Sequence, residues 1–497
     1  MKNFLIIALT IALAASLLYP RPGKTIPPSS NNSIEKDAEP PAKTESSVSP
    51  PPVPSATPPL PEPAPSPYAL VEKALRETSL TPGLAGAALG FCLLDSSGNV
   101  VVDLNAGTAQ IPASVLKTVT TATAIQRLGP DFRFVTQVKA SAPLVNGVVK
   151  GDLIMIGEGD PLLSMQDLEQ WVAKLKEAGL KQITGRIIGD GGYFTGSLYD
   201  DFWNWGDIGN GYGSAVSGLN LEHNRFQAIF RGGAQEGSPA TLTPLDPVVP
   251  SVKIVNEVTS GSPNSGDNVV IYGGERTGLI TARGTVPMAE ETIIVGAVPD
   301  PELFAAWHFR RLLKVAGISV GDDAVGTHSL KSKVTAISEP LIHHESPPLI
   351  ELITSIHATS DNQETECLFR KLGLLAGKDP EQLIKDHWKE QGLEFIGLRM
   401  EDGCGLARAD HIRPLDLARL QFLTSKGPHG QIWKESLLSD GPVRSKIGAM
   451  SSIRCWTGFI DSKNSGTYCF ALMVNHYTDG KPVVELWRTL AGLVAGL

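Results

Sequence analysis

A proline tract near the start of the chain limits what can fold. Of the 37 prolines in 497 residues, 16 lie between Pro20 and Pro67, with Ser, Thr, Ala and Glu filling much of the rest. Proline fixes φ and lacks a backbone donor, and this composition cannot bury a core. The tract therefore reads as an extended spacer with polyproline-II character. Ahead of it, Lys2 precedes an uncharged run from Phe4 to Tyr19. A basic residue and a short apolar run mark an export signal, and Ala12-Leu13-Ala14 offers a small-x-small cleavage pattern. An uncleaved anchor is the alternative, although the run is short against the roughly 20 residues of a spanning helix. Residues 1–19 thus read as a signal peptide or anchor, and residues 20–67 as a Pro-rich disordered linker.

Roughly 430 residues remain, more than one ordinary domain needs. The net charge of −9 argues against nucleic-acid binding, which needs basic surface to neutralise phosphates. No second long apolar run points to a multi-pass membrane protein. Five cysteines are an odd number, so they cannot all pair within the chain.

Tyr68–Glu77 carries helical apolar spacing. Ala85–Leu94 and Val100–Leu104 read as a hairpin around Asp95-Ser96-Ser97-Gly98-Asn99. Ile111–Leu128 reads as a helix opened by Pro112 and closed by Gly129-Pro130. Residues 134–344 are rich in short Val/Ile strands and Gly turns, with helices at Met165–Ala178 and Pro301–Ala316. Helices return at Leu349–Leu374, Pro380–Gln391 and Pro414–Thr424. Ser452–Ile460 and Tyr468–Asn475 form a late hairpin, and Val483–Leu497 a closing helix. A sheet built from terminal segments, helices on its faces and a large β-rich insertion make the class α+β.

Ser114-Val115-Leu116-Lys117 puts a hydroxyl and an amine on one helical face near a helix start. A serine needs a base, and a lysine serves if desolvation or a neighbouring cation keeps it neutral. Alone the spacing is weak, since Ser33-Ile34-Glu35-Lys36 in the linker shares it. Ser360-Asp361-Asn362 sits at a loop-to-helix boundary, and Lys446-Ile447-Gly448 opens a strand. In these elements, in this order, the sequence resembles the β-lactamases and penicillin-binding proteins. Gly151-Asp152-Leu153, Gly157-Glu158-Gly159-Asp160-Pro161, Trp205-Gly206-Asp207, Leu219-Asn220-Leu221 with Asn224, and Asp402–Arg408 narrow the match. From about Tyr68 to Leu497 the body resembles the class C low-molecular-mass penicillin-binding proteins, which are D-alanyl-D-alanine carboxypeptidases and endopeptidases.

The resemblance implies a transpeptidase-like catalytic domain of 68–133 and 345–497, interrupted by an inserted domain at 134–344. It implies Ser114 as acyl-forming nucleophile, Lys117 as its base, and Ser360 as a proton relay toward Lys446. Asn362 would bond the substrate's peptide carbonyl, and Lys446 would face the terminal carboxylate. The N–H groups of Ser114 and Ala449, the residue after Gly448, would form the oxyanion hole. Asp207 occupies the place of a carboxylate that contacts the free amine of a diamino acid, and Arg408 and Met450 lie in substrate-facing stretches. Peptidoglycan stem peptides are the implied substrate and β-lactams the implied acylating inhibitors, in the periplasm or cell envelope. No cofactor is implied.

The sequence departs from the family at the Lys-Thr-Gly-Thr strand, which here is Lys446-Ile447-Gly448-Ala449. Two hydroxyls that would bind the terminal carboxylate are replaced. Each lost bond to a charged group is worth roughly 1.5–3 kcal/mol. Three readings follow: a serine D,D-peptidase, a wall-binding or scaffolding homologue with impaired turnover, or a related esterase or β-lactamase-like hydrolase. Cys404 stands where the family has Ser and reads as a small loop residue. A cross-strand disulfide between Cys455 and Cys469 is conceivable on the late hairpin. No spaced His/Cys set marks a metal site, and no Lys-Ser/Thr follows the glycines at 206–213 to make a phosphate loop.

Overall fold

The computed structural model describes residues 66–331, 335–337 and 339–497. The export segment and the tract up to residue 65 lie outside the described residues. The centre is a six-stranded antiparallel sheet in the spatial order Leu438–Asp440, Val443–Met450, Ile453–Ser462, Gly466–Asn475, Ala88–Leu94, Val100–Leu104. Ala88–Leu94 pairs with Gly466–Asn475 from Ala88↔Asn475 to Leu94↔Cys469, so the two ends of the body close one sheet. Tyr468–Asn475 is buried at every position, as expected of a strand covered on both faces. Cys92, Cys455, Phe459, Cys469 and Met473 face an apolar core shared with the central helices. On the opposite face Trp487, from helix Lys481–Gly496, stacks on Trp456 at 5.4 Å and Phe470 at 4.8 Å.

The helix Lys117–Leu128 is buried on all sides from Lys117 to Ile125 although more than half of that stretch is threonine or lysine. Each buried hydroxyl finds a carbonyl: Thr118 bonds Val115, Thr121 bonds Lys117, Thr123 bonds Val119, and Thr120 bonds Gly403. These bonds remove the desolvation cost that would otherwise exclude threonine from a core.

Residues 135–345 supply four further sheets. The largest has five strands, with Leu153–Gly157 parallel to Ile187–Asp190 and antiparallel to Val135–Ala140. Helix Met165–Glu177 starts at a Ser164/Asp167 capping box, and Pro301–Val315 at an Asp300 cap with Pro at its first turn. Trp171 packs edge-on against Phe309, holding the two together.

Three readings need correction. The stretch 111–128 does not enter as α-helix: Ala113–Leu116 is a 3₁₀ turn, with Ala113 at φ 49°, and α geometry starts at Lys117. The stretch 349–374 is two helices, Leu349–Thr359 and Asn362–Ala376, split because Ser360 takes a left-handed conformation (φ 61°, ψ 32°). Lys446 does not open its strand but lies inside Val443–Met450, opposite Thr457. The disulfide reading also fails. Cys455 faces Met473 and Cys469 faces Phe459, and all five cysteines are free and buried.

Candidate active site

The 3₁₀ turn decides how Ser114 meets Lys117. In this tighter helix, residues three apart nearly eclipse, so the two side chains align more directly than on an α-helix. Lys117 Nζ lies 3.0 Å from Ser114 Oγ, 2.6 Å from Asn362 Oδ1 and 2.6 Å from the Cys404 carbonyl. Asn362 Oδ1 and the carbonyl can only accept. A neutral amine therefore fits all three contacts by donating to those two oxygens and accepting from the Ser114 hydroxyl. Lys117 is fully buried, and burial pushes its pKa below the ordinary lysine value, opposed by Cys404, Asp402 and Asp361.

Ser360 ends one helix and Asn362 starts the next, so both project from a single break. Asp361 caps the second helix, accepting from the Glu364 N–H at 2.9 Å. Asn362 Nδ2 donates to the Tyr212 carbonyl at 2.8 Å, leaving its second N–H for another acceptor. Lys446 Nζ donates to Ser360 Oγ and to the Ile447 carbonyl, both at 2.8 Å. Burial first, and then the Lys117 charge, push Lys446 well below the ordinary value. Among the described residues no hydrogen bond joins Ser360 to Lys117.

The strand and the turn touch through Gly448. A Cβ there would stand 2.7 Å from the Pro112 carbonyl oxygen and 2.9 Å from the amide nitrogens of Ser114 and Val115. Only glycine lets the strand approach Ser114 this closely. Ala449 follows, half-buried, while Ile447 is 40% exposed.

The loop Asp402–Ala407 holds the Cys404 carbonyl. Asp402 is fully buried, and its carboxylate accepts from the N–H groups of Cys404, Gly405, Leu406 and Ala407 and from the Trp203 indole. Glu366 accepts from the Gly403 N–H at 2.8 Å. The Cys404 thiol is pushed well above its ordinary pKa, first by burial and then by Asp402, so it is no thiolate nucleophile. It is the Cys404 backbone that reaches Lys117. Buried His357 bridges Thr121 and Ser436, and burial followed by the Lys446 charge lowers its pKa to about 3, which leaves it neutral behind the site.

Asp207 accepts from Asn204 and from the Tyr212 hydroxyl, each at 2.9 Å. It thus joins the rim through the residue whose carbonyl receives Asn362. Arg408 is exposed and, among the described residues, has no ion pair; Met450 is half-buried against the core. Two groups of three potential metal ligands converge, His223/Asp361/Glu364 and Glu366/Asp402/Cys404. Protein partners account for both, since Asp361 is paired with Arg225 and Asp402 accepts its five N–H donors. Sequence reasoning missed Arg225, the Tyr212 carbonyl and the Cys404 carbonyl. Backbone groups carry no residue signature, and Arg225 lies far in the chain from Asp361.

A sheet with helices on its faces, with Lys117 bonded to Ser114 and Lys446 bonded to Ser360, has the penicillin-binding-protein and β-lactamase-like α+β architecture. The chain belongs to the D-Ala-D-Ala carboxypeptidase 3 (S13) family, whose model matches residues 71–492. The D-alanyl-D-alanine carboxypeptidase of Actinomadura sp. (strain R39) is 27% identical over 437 residues, 81% of this chain and 80% of that one. The D-alanyl-D-alanine carboxypeptidase DacB of Haemophilus influenzae is 24% identical over 449 residues, 82% of this chain and 90% of that one. The crystal structure of H. influenzae penicillin binding protein 4 superposes with a TM-score of 0.74 at 21% identity, covering 86% of this chain and 99% of that one. Its β-lactam complex superposes with a TM-score of 0.69 at 20% identity, with the same coverage. The chain is therefore an enzyme of a serine-peptidase family. Among the described residues no helix is long and apolar enough to cross a membrane.

Proposed function

We propose that this protein is an exported serine D,D-peptidase of the cell envelope that cleaves D-alanyl bonds of peptidoglycan stem peptides through an acyl-enzyme on Ser114. The observation that carries the reading is the three-way contact of buried Lys117 Nζ with Ser114 Oγ and two acceptor-only oxygens. The Ser114 proton passes to neutral Lys117 as Oγ bonds the carbonyl carbon of the penultimate D-Ala. The oxyanion sits between the N–H groups of Ser114 and Ala449. As the C–N bond breaks, the leaving amine receives that proton from Lys117 by way of the Ser360 hydroxyl, which Lys446 orients, and Lys117 is neutral again. A water then gives a proton to Lys117 as its oxygen bonds the acyl carbon; the ester C–O bond breaks, Lys117 returns the proton to Ser114 Oγ, and the acid product leaves. Asn362 offers its remaining N–H to the substrate's peptide carbonyl, Lys446 faces the terminal carboxylate, and Asp207, with Arg408 and Met450 on the rim, meets the diamino-acid side chain. Residues 134–344 act as an inserted domain that builds this rim.

Ile447 and Ala449 bear on which bond is cut. Ile447 presents an apolar, 40% exposed side chain where a hydroxyl would meet a free carboxylate. This favours cross-link cleavage, or a wall-binding role with slow turnover, over trimming of free D-Ala ends. Covalent labelling by a fluorescent penicillin, with Ser114→Ala as control, tests the acyl-enzyme; a purified protein that never labels overturns it. Product analysis on cross-linked and uncross-linked muropeptides separates the two cleavages. Restoring both hydroxyls with Ile447→Thr and Ala449→Thr should raise kcat/KM for D-alanine release by about two to four powers of ten, about one to two for each bond regained.

A further inference from the structure

The inserted segment reaches the catalytic helix break through a contorted turn. Glu222, His223 and Asn224 have φ of 49°, 54° and 53°, three successive non-glycine residues in the left-handed region. The Asn224 side chain fixes the turn, accepting from the Leu221 N–H and donating to the Ala215 carbonyl and Asn220 Oδ1. The turn delivers two side chains to the start of helix Asn362–Ala376. His223 Nε2 lies 2.9 Å from Glu364 Oε1. Arg225 Nη1 lies 2.6 Å from Asp361 Oδ2, and Arg225 Nε donates to the Gly211 carbonyl at 2.6 Å.

One Arg225 partner is the chain neighbour of Asn362, and the other is the chain neighbour of a residue that holds it. Asp361 precedes Asn362, and Gly211 precedes Tyr212, whose carbonyl accepts from Asn362 Nδ2. At its other end the Asn362 amide accepts from Lys117 Nζ. We infer that Arg225 is a positioning residue for the Ser114 reaction, clamping the Asp361 cap and the Gly211–Tyr212 loop so that the Asn362 amide stays aligned with Lys117. The inference rests on the acyl-enzyme reading above. Burial by itself would raise the Asp361 carboxyl, but Arg225 and His223 outweigh it and hold it well below the usual carboxylate range. A planar guanidinium can serve both acceptors at once, whereas a lysine is a point charge.

The test uses the full-length protein, a chromogenic cephalosporin and stopped-flow measurement of the pre-covalent constant and the acylation rate constant, with melting temperature alongside. Arg225→Ala should lower the acylation rate constant roughly ten- to a hundredfold, with a smaller change in pre-covalent binding. Adding Asp361→Asn removes the uncompensated buried charge. The double variant should therefore regain melting temperature without regaining acylation, because Gly211 still lacks its donor. Arg225→Lys should recover acylation only in part. A wild-type acylation rate constant in folded Arg225→Ala, or recovery of acylation together with stability in the double variant, overturns the inference. If Arg225→Ala does not fold, the double variant alone decides. A wild-type protein that never acylates overturns the reading of the site and this inference with it, whereas normal wild-type acylation with unaffected variants overturns this inference alone.

Discussion

Replacing Asp402 by Asn tests how the site keeps Lys117 in place. Asp402 Oδ1 accepts from the N–H groups of Cys404 and Gly405; Oδ2 accepts from Leu406, Ala407 and the Trp203 indole. An amide can present only one oxygen, so its NH2 must face at least two donors in a fully buried setting. Two unsatisfied buried donors at about 1–3 kcal/mol each give a loss of about 2–6 kcal/mol. For a body of about 430 residues the unfolding entropy is about 0.9 kcal/mol/K, so the melting temperature should fall by about 2–7 °C. The chemistry should change too. The loop that presents the Cys404 carbonyl to Lys117 slackens, lowering the maximal acylation rate. Asp402 is also among the charges that raise the Lys117 pKa against the dominant effect of burial, so its removal lowers that pKa further. Lys117 must be neutral to act as a base, and the acid limb of the acylation–pH profile should move to lower pH. Trp203→Phe removes one donor and keeps the charge, so it should leave that limb in place. Thermal melts and pre-steady-state acylation across the acidic range provide the readout. An Asp402→Asn protein with unchanged melting temperature, or an acid limb that stays or moves upward, refutes the reasoning.

Gly448→Ala drives a Cβ to 2.7 Å from the Pro112 carbonyl oxygen and 2.9 Å from the Ser114 amide, both backbone atoms that cannot turn aside. It should cost about 1–3 kcal/mol and pull the strand from the nucleophile, with acylation lost while urea titration still finds a folded protein. Lys446 holds its proton less tightly folded than unfolded, because burial and Lys117 push it well below 10.5. The unfolded chain then binds more protons between the folded value and about 10.5, so stability rises with pH through that window. Urea midpoints should show Lys446→Met flattening this rise; an unchanged slope would count against a depressed Lys446. Ser114→Ala should abolish penicillin labelling with little change in melting temperature, since Ser114 is only half-buried.

Much of the architecture was legible because it follows from local pattern. The hairpins at 88–104 and 453–475, the helices Met165–Glu177 and Pro301–Val315 and the capped helix starts all have apolar spacing, turn residues or Pro in the first turn. The helix at Gly430–Ser436 was missed, since seven residues give too short a period to read. The continuous helix expected over 349–374 broke at Ser360, where the Asp361 cap and its pair with Arg225 outweigh local helix propensity. The cross-strand disulfide failed on register, because the offset between strands is set by the turn and by both sheet faces.

Ser114, Lys117, Ser360, Asn362 and Lys446 were expected from motif order and the family resemblance, and the structure brings Lys117 to Ser114 and Asn362 and brings Lys446 to Ser360. Their coupling could not be read from the order of residues. Lys117 is held by a carbonyl 287 residues away and by an amide 245 residues away. The strand approaches Ser114 only because residue 448 has no Cβ. The amino-acid order alone determines which groups are available and which segments form strands and helices, since those depend on neighbours a few residues apart. Burial, which lowers both lysine pKa values, and the backbone oxygens that orient Lys117 depend on segments far apart in sequence, so they exist only once the tertiary structure has brought those segments together.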